Sequence, residues 1–175
     1  MSNSSSPVET PSLKRRLICL VYEAFLVIAV AALGILIFLV LTQMLDESVK
    51  AFLRPVALFA FVGWYLIHSW TGTGFTLAMK TWRIKLVKVG YAKVPLGAAL
   101  VRYLFAWGWV LPAFAASYFL NLSRPMIGAA LGINVVLWAL TAFLDKDRQF
   151  LHDKVAGTRL ISLPKPVKAT AKAAA

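Results

Sequence analysis

Apolar residues in this chain fall into long, nearly unbroken blocks separated by short polar stretches. They follow neither the period of an amphipathic helix nor the strict alternation of a half-buried strand. The blocks run over about 17–41, 55–70, 96–120 and 126–144. A helix crossing the hydrocarbon core of a bilayer needs about 20 apolar residues, so the pattern predicts four transmembrane helices. Pro55 and Pro95 stand where the second and third blocks begin. Proline suits the first turn of a helix, where its missing N–H costs little. Short connections after the first and third blocks pair the helices into two hairpins and bring both termini to one side. The expected fold class is an all-α membrane protein with four transmembrane helices in two hairpins and short interfacial helix and strand segments on the cytoplasmic face.

The connection after the second block is more than a linker. Gly74-Phe75-Thr76-Leu77-Ala78-Met79-Lys80 begins like a short interfacial helix. Trp82, Ile84 and Leu86 then alternate with Arg83 and Lys85, a period of two that predicts a strand, and Gly90 permits a turn. A second candidate strand, Thr158 to Leu163, follows Gly157. The two stretches are expected to lie close together, either as paired strands or as separate interfacial coils. A faint internal repeat points the same way. Setting Leu77-Ala78-Met79-Lys80 against Leu151-His152-Asp153-Lys154 also aligns Lys85-Leu86-Val87 with Arg159-Leu160-Ile161. Each copy follows a pair of spans, which suggests two hairpins of the same orientation.

Composition sharpens this picture. A chain of 175 residues is one domain by length, and a hydrophobic fraction of 60% exceeds what a soluble globule needs. The net charge of +12 would suggest nucleic acid in a soluble chain, but the basic residues sit at the edges of the apolar blocks. There they set orientation and meet anionic headgroups, so the bilayer is the expected partner and nucleic acid is not. Lys14, Arg15 and Arg16 precede the first span, and Lys80, Arg83, Lys85, Lys88 and Lys93 fill the middle connection without one acid. The positive-inside rule therefore puts both termini and that connection in the cytoplasm. The polar residues 1–12 and the Lys/Ala-rich residues 164–175 are expected to be disordered tails around a domain spanning 13–163. A cleavable leader is not expected, because the first run continues to about Leu41 and carries Glu23. Cys19 is the single cysteine, so no intrachain disulfide forms.

Glu23 is the strongest candidate for chemistry. Counted from Leu17, it lies roughly 9–10 Å into the helix, where a carboxylate must face protein or water, find a cation or take up a proton. Arg16 stands two turns earlier on nearly the same face and is expected at the headgroups. Arg102, about seven residues beyond Pro95 in the third span, reaches a similar depth from the same side. A Glu23–Arg102 ion pair between the first and third spans is therefore predicted. His68, among Trp64, Tyr65 and Trp70, suits an aromatic belt. Asp145 and Asp147, with Lys146 and Arg148, look like a solvated junction, and Asp153 is expected to accept bonds from backbone or a basic side chain. His152-Asp153 lacks further ligands at metal-site spacing. No phosphate-cradling loop, nucleophile elbow or metalloprotease motif is present, so neither enzyme activity nor a metal or cofactor is expected.

Arg16, Glu23 and the segment His152-Asp153-Lys154-Val155-Ala156-Gly157-Thr158 together resemble the RDD family of small bacterial membrane proteins, named for an arginine and two aspartates. The resemblance runs from about Lys14 to Ser162. It assigns the arginine to Arg16, the first acid to Glu23 in place of aspartate, and the second aspartate to Asp153. The middle connection, with Gly74, Thr76 and Lys80, is similar to the family's Gly-Gln-Thr-Leu-Gly element, with Phe75 in place of the glutamine and Ala78 in place of the second glycine. The resemblance implies residence in the bacterial inner membrane and transport of a small ligand or cation/proton exchange, since some relatives are linked to sodium–proton exchange. Four spans are few for a monomeric transporter, so a pathway would call for a homo-oligomer. The alternative is a non-transporting accessory or scaffolding protein that binds another membrane complex or anionic lipid.

Overall fold

The computed structural model describes residues 9–164. Helix α1 (Leu13–Leu41) starts earlier than the apolar block because Ser12 caps it, its Oγ accepting the Arg15 N–H at 3.4 Å. Helix α2 (Glu47–Gly72) also starts well before its block. Glu47 sits in its first turn, where the helix dipole favours an acid, and Lys50 pairs with it at 2.9 Å. The polar stretch taken as a connection is thus helical. Pro55 lies inside α2 rather than in its first turn, and leaves the Ala51 carbonyl without its intrahelical donor. α1 packs on α2 at Gly34, where a Cβ would stand 2.6 Å from the Phe61 ring.

The third block is not one straight helix. Helix α4 (Leu96–Ala106) ends in a 3₁₀ turn, Trp107–Trp109, and helix α5 (Leu111–Phe119) continues at 46°. Pro112 causes the break, since it has no N–H for the carbonyl four residues earlier, that of Gly108. Asn134 on helix α6 (Arg124–Leu140) fills the gap. Its Nδ2 donates to Gly108 O at 3.0 Å and to Trp109 O at 2.7 Å. A second 3₁₀ turn, Thr141–Leu144, closes α6. Three helices are long and apolar enough to cross a membrane, and four if the bent pair counts as one span. Phe25, Leu33, Leu36, Phe119 and Leu137 stand exposed along these helices, as side chains facing lipid do. The protein is therefore a mostly helical membrane protein.

Short elements cover one end of the helices. Helix α3 (Leu77–Thr81) leads into strand β1 (Ile84–Val87), and helix α7 (Leu151–Ala156) leads into strand β2 (Arg159–Ser162). The strands pair antiparallel, with Leu86 opposite Leu160 and Ile84 opposite Ser162. These are the two copies of the faint repeat. Leu86 and Leu160 are equivalent positions in it, so the ladder has a local two-fold axis through that pair. Gly74 at φ 81° and Gly157 at φ 62° take left-handed turns at equivalent junctions of neither copy, the first before α3 and the second after α7. Ile84, Leu86 and Leu160 turn inward and join Cys19, Leu66, Trp70, Ala99 and Tyr103 in the core.

Residues 9–12, expected in a disordered tail, are placed against this ribbon. Glu9 O accepts the Ser162 N–H at 2.8 Å, Thr10 Oγ1 accepts from Arg159 at 3.2 Å, and Pro11 is buried. The rest of that tail, and the basic tail from residue 165 onward, lie outside the described residues.

Candidate functional site

The side chains singled out in the sequence converge beneath the ribbon. Arg16 sits in the first turns of α1, is only 2% exposed, and carries its guanidinium carbon 4.6 Å over the Phe150 ring. Its Nε, Nη1 and Nη2 have no hydrogen-bond partner among the described residues. The expectation that Arg16 reaches headgroups is corrected: α7 and the segment before it fold over this turn of α1 and bury it. Arg15 instead ties α1 to the ribbon, donating to Trp82 O at 2.7 Å, Arg83 O at 2.8 Å and Ser162 Oγ at 2.6 Å.

Glu23 follows Arg16 by two helical turns on nearly the same face. One carboxylate oxygen accepts a hydrogen bond from the Thr76 hydroxyl, and that hydroxyl also caps α3 by accepting the Met79 N–H at 3.2 Å. The other, Oε1, makes no hydrogen bond of good geometry among the described residues, although the Tyr65 hydroxyl lies within reach of this carboxylate. The predicted Glu23–Arg102 ion pair is not formed. Arg102 on α4 pairs with Asp153 on α7 and lies 4.7 Å over the Trp70 ring. Asp153 is 0% exposed. Its position follows from α7 folding back against α4, which brings its carboxylate onto Arg102. Thr158, just past Gly157, secures the turn by donating its N–H to Asp153 O at 2.9 Å.

His152 is fully buried beside this pair. Burial pushes its pKa down to about 4, with the Arg102 and Arg16 charges lowering it further and Asp153 opposing them. The ring is thus neutral. Trp138 Nε1–H donates to Nδ1 at 3.3 Å, which leaves the ring proton on Nε2, 3.5 Å from Asp153 Oδ2. A consequence for stability follows. The unfolded histidine takes up a proton near pH 6.5 while the folded one refuses it down to about pH 4. Its contribution is complete above the unfolded value and falls by about 3 kcal/mol as the pH drops through that window. Thermal unfolding in detergent between pH 7 and pH 4 is expected to show this slope, and His152→Gln to remove it.

Arg16, Cys19, Glu23, Arg102, Trp109 and His152 line one cavity of about 110 Å³, together with Phe150 and Leu160. Lys80 stands exposed at the last turn of α3, and His68 is exposed and stacked on Trp64 at 5.6 Å, both outside this cavity. Asp145 and Asp147 do not pair with Lys146 and Arg148 as a simple solvated junction. Asp145 Oδ2 accepts the N–H groups of Asp147 and Gln149 at 3.1 Å, and Asp147 pairs with Arg159 at 2.9 Å. No group of three or more His, Cys, Asp or Glu side chains suited to a metal is found among the described residues. Gln149, which sequence reading passed over, is buried and accepts the Leu160 N–H at 3.0 Å.

The RDD family model matches residues 10–157. The chain belongs to the RDD family. Neither a curated protein nor a solved structure matches it. Arg16, Glu23 and Asp153, the residues that the resemblance assigns to the family's signature, come from opposite ends of the matched region. Two of them line the cavity, and the third holds Arg102 at its wall. These side chains thus gather around one mostly apolar cavity that carries a few charged groups in its wall.

Proposed function

We propose that this RDD protein resides in the bacterial inner membrane as a four-span protein with both termini cytoplasmic, and exchanges protons for a small cation through Glu23. It is not an enzyme and needs no cofactor. The observation that carries the reading is the Glu23 carboxyl, held inside the helix layer with one oxygen engaged by Thr76 and the other, beside the Tyr65 hydroxyl, without a well-formed bond among the described residues. An ionisable group at that position, facing a cavity and not lipid, is how proton relays in membrane proteins are built. The Thr76 and Tyr65 oxygens beside it are ligands of the kind a hard cation takes. Lys80, Arg83, Lys85, Lys88 and Lys93 cluster at the ribbon end, which supports its cytoplasmic orientation and the interfacial placement of α3, α7 and the strands. A pathway across the bilayer is completed in a homo-oligomer.

Purified protein in liposomes loaded with a pH-sensitive dye is expected to show proton flux driven by a sodium or potassium gradient. Glu23→Gln should reduce it at least about tenfold, the usual scale for removing an acid–base group, while the protein elutes normally by size exclusion. Flux that persists undiminished in Glu23→Gln excludes this role. A second reading, an accessory protein bound to anionic lipid, draws on a groove of about 150 Å³ lined by Lys85, Lys88 and Lys93 next to Gly74. In that case the protein conducts nothing and co-purifies in fixed ratio with lipid or with an unrelated membrane complex.

A further inference from the structure

We propose that the cavity beneath the ribbon is a binding site for a small monovalent anion, held by the guanidinium of Arg16. The inference goes beyond the proton role given to Glu23 and stands without it. The cavity's donors and acceptors are out of balance. Among the described residues, Arg16 contributes a guanidinium with no partner on any nitrogen, and Arg102 Nε, Trp70 Nε1 and Trp109 Nε1 are also unpartnered, all on residues lining the cavity. A guanidinium donates in five directions and accepts in none. Against these, Glu23 Oε1 is the one carboxylate oxygen of a lining residue that lacks a partner among those described. His152 Nδ1 is already occupied by Trp138. Water brings donors along with acceptors and leaves the surplus in place, whereas an anion brings acceptors alone.

Charge and size agree. Arg16, Cys19 and Glu23 face the cavity from α1, Tyr65 adjoins Glu23 from α2, and Arg102 and His152 come from α4 and α7. Asp153 makes its direct contact with Arg102 and also acts on Arg16 through space, an attraction that the nearby positive charge of Arg148 partly offsets. Arg16 thus has no direct ion-pair partner among the described residues, in surroundings where an unpaired charge is costly. Phe150 covers one face of the guanidinium and leaves the in-plane N–H groups, the ones that grip an oxyanion in a fork, unused. A volume of about 110 Å³ suits chloride, nitrate or formate, and is well short of the roughly 300 Å³ at which drug-sized ligand pockets begin.

Nitrate is a suitable probe, because it is planar, monovalent and quenches tryptophan, and Trp70 and Trp109 line the cavity. The full chain in neutral detergent is titrated with sodium nitrate against sodium gluconate at constant ionic strength. A saturable quenching component is expected, with half-saturation on the order of millimolar. Arg16→Gln should abolish it, and Arg16→Lys, which keeps the charge but loses the fork, should weaken it about tenfold. Glu23→Gln removes a neighbouring negative charge and should tighten binding about tenfold, while Arg124→Gln, on an exposed residue, leaves it unchanged. Quenching that rises linearly without saturating, or that saturates alike in the wild type and Arg16→Gln, overturns the site. Should Arg16→Gln fail to fold, unaltered nitrate affinity in both Arg16→Lys and Glu23→Gln overturns it equally. Proton flux without saturable nitrate binding rejects this site alone, and nitrate binding without proton flux rejects the exchange reading alone.

Discussion

Arg102→Leu is expected to destabilise the protein by about 3–5 kcal/mol, the range for stripping one partner from a buried ion pair. Asp153 has no exposed surface and makes its direct ion pair with Arg102, so the substitution strands a carboxylate among apolar groups. Asp153→Leu does the converse, adding the Arg102 charge to a cavity that already holds an uncommitted Arg16. The double variant, Arg102→Leu with Asp153→Leu, removes both charges and should recover most of the loss. Fluorescence-detected size exclusion after heating would rank the four proteins. If the double variant is as unstable as the worse single one, the pair is not what holds α7 against α4. A Glu23→Leu variant serves as contrast. Glu23 bonds the Thr76 hydroxyl and meets Arg102 only across the cavity, so its coupling to Arg102→Leu should be smaller than that of Asp153→Leu.

Gly108→Leu is expected to be the other severe lesion. A Cβ at Gly108 would lie 2.0 Å from the Trp138 ring, a large rigid group that cannot give way cheaply. Overpacking of this kind costs about 1–3 kcal/mol, and here the displacement reaches further. Trp138 Nε1 orients His152, which sits against Asp153, and the Gly108 carbonyl is one of the two that Asn134 satisfies at the helix break. Gly108→Leu should therefore lower thermal stability and also disturb the pH slope assigned to His152. Gly128→Ala offers a control, since a Cβ there meets nothing within 4 Å.

Much of this architecture is legible in the residue order. The four apolar blocks mark the helices, and the alternation from Trp82 to Leu86 marks a strand whose partner is its own repeat. The equivalence of Leu86 and Leu160 in that repeat is also their pairing register. Helix limits were less legible, because polar residues such as Lys14 and Glu47 carry a helix on past the lipid-facing part. The break in the third block had a signal in Pro112, with Gly108 four residues before it, but its repair by Asn134 depends on how α6 packs. The site was half visible. Glu23 stands out by depth and charge, yet its partner is a hydroxyl, Thr76, and hydroxyls carry no long-range mark in a sequence. Asp153 was the hardest to place. It lies in a run of acids and bases that resembles an aqueous exit, and only the apolar Phe150 and the folding back of α7 take it out of water.

The hold that Arg15 takes on Ser162 has a consequence for biosynthesis. The beginning of the chain is fastened by its last described strand, and Glu9 closes the same loop through the Ser162 amide. While a ribosome is still making the second hairpin, Arg15 can already reach the Trp82 and Arg83 carbonyls, but Arg16 has neither the Phe150 ring nor the α7 segment that bury it. Arg16 can be covered, and the Arg15 bond to Ser162 completed, only after residues 150–162 emerge. Most chains settle from the front as they are made, but this one locks from the back, and a nascent copy that stalls before its final strand keeps an open rim at the membrane surface.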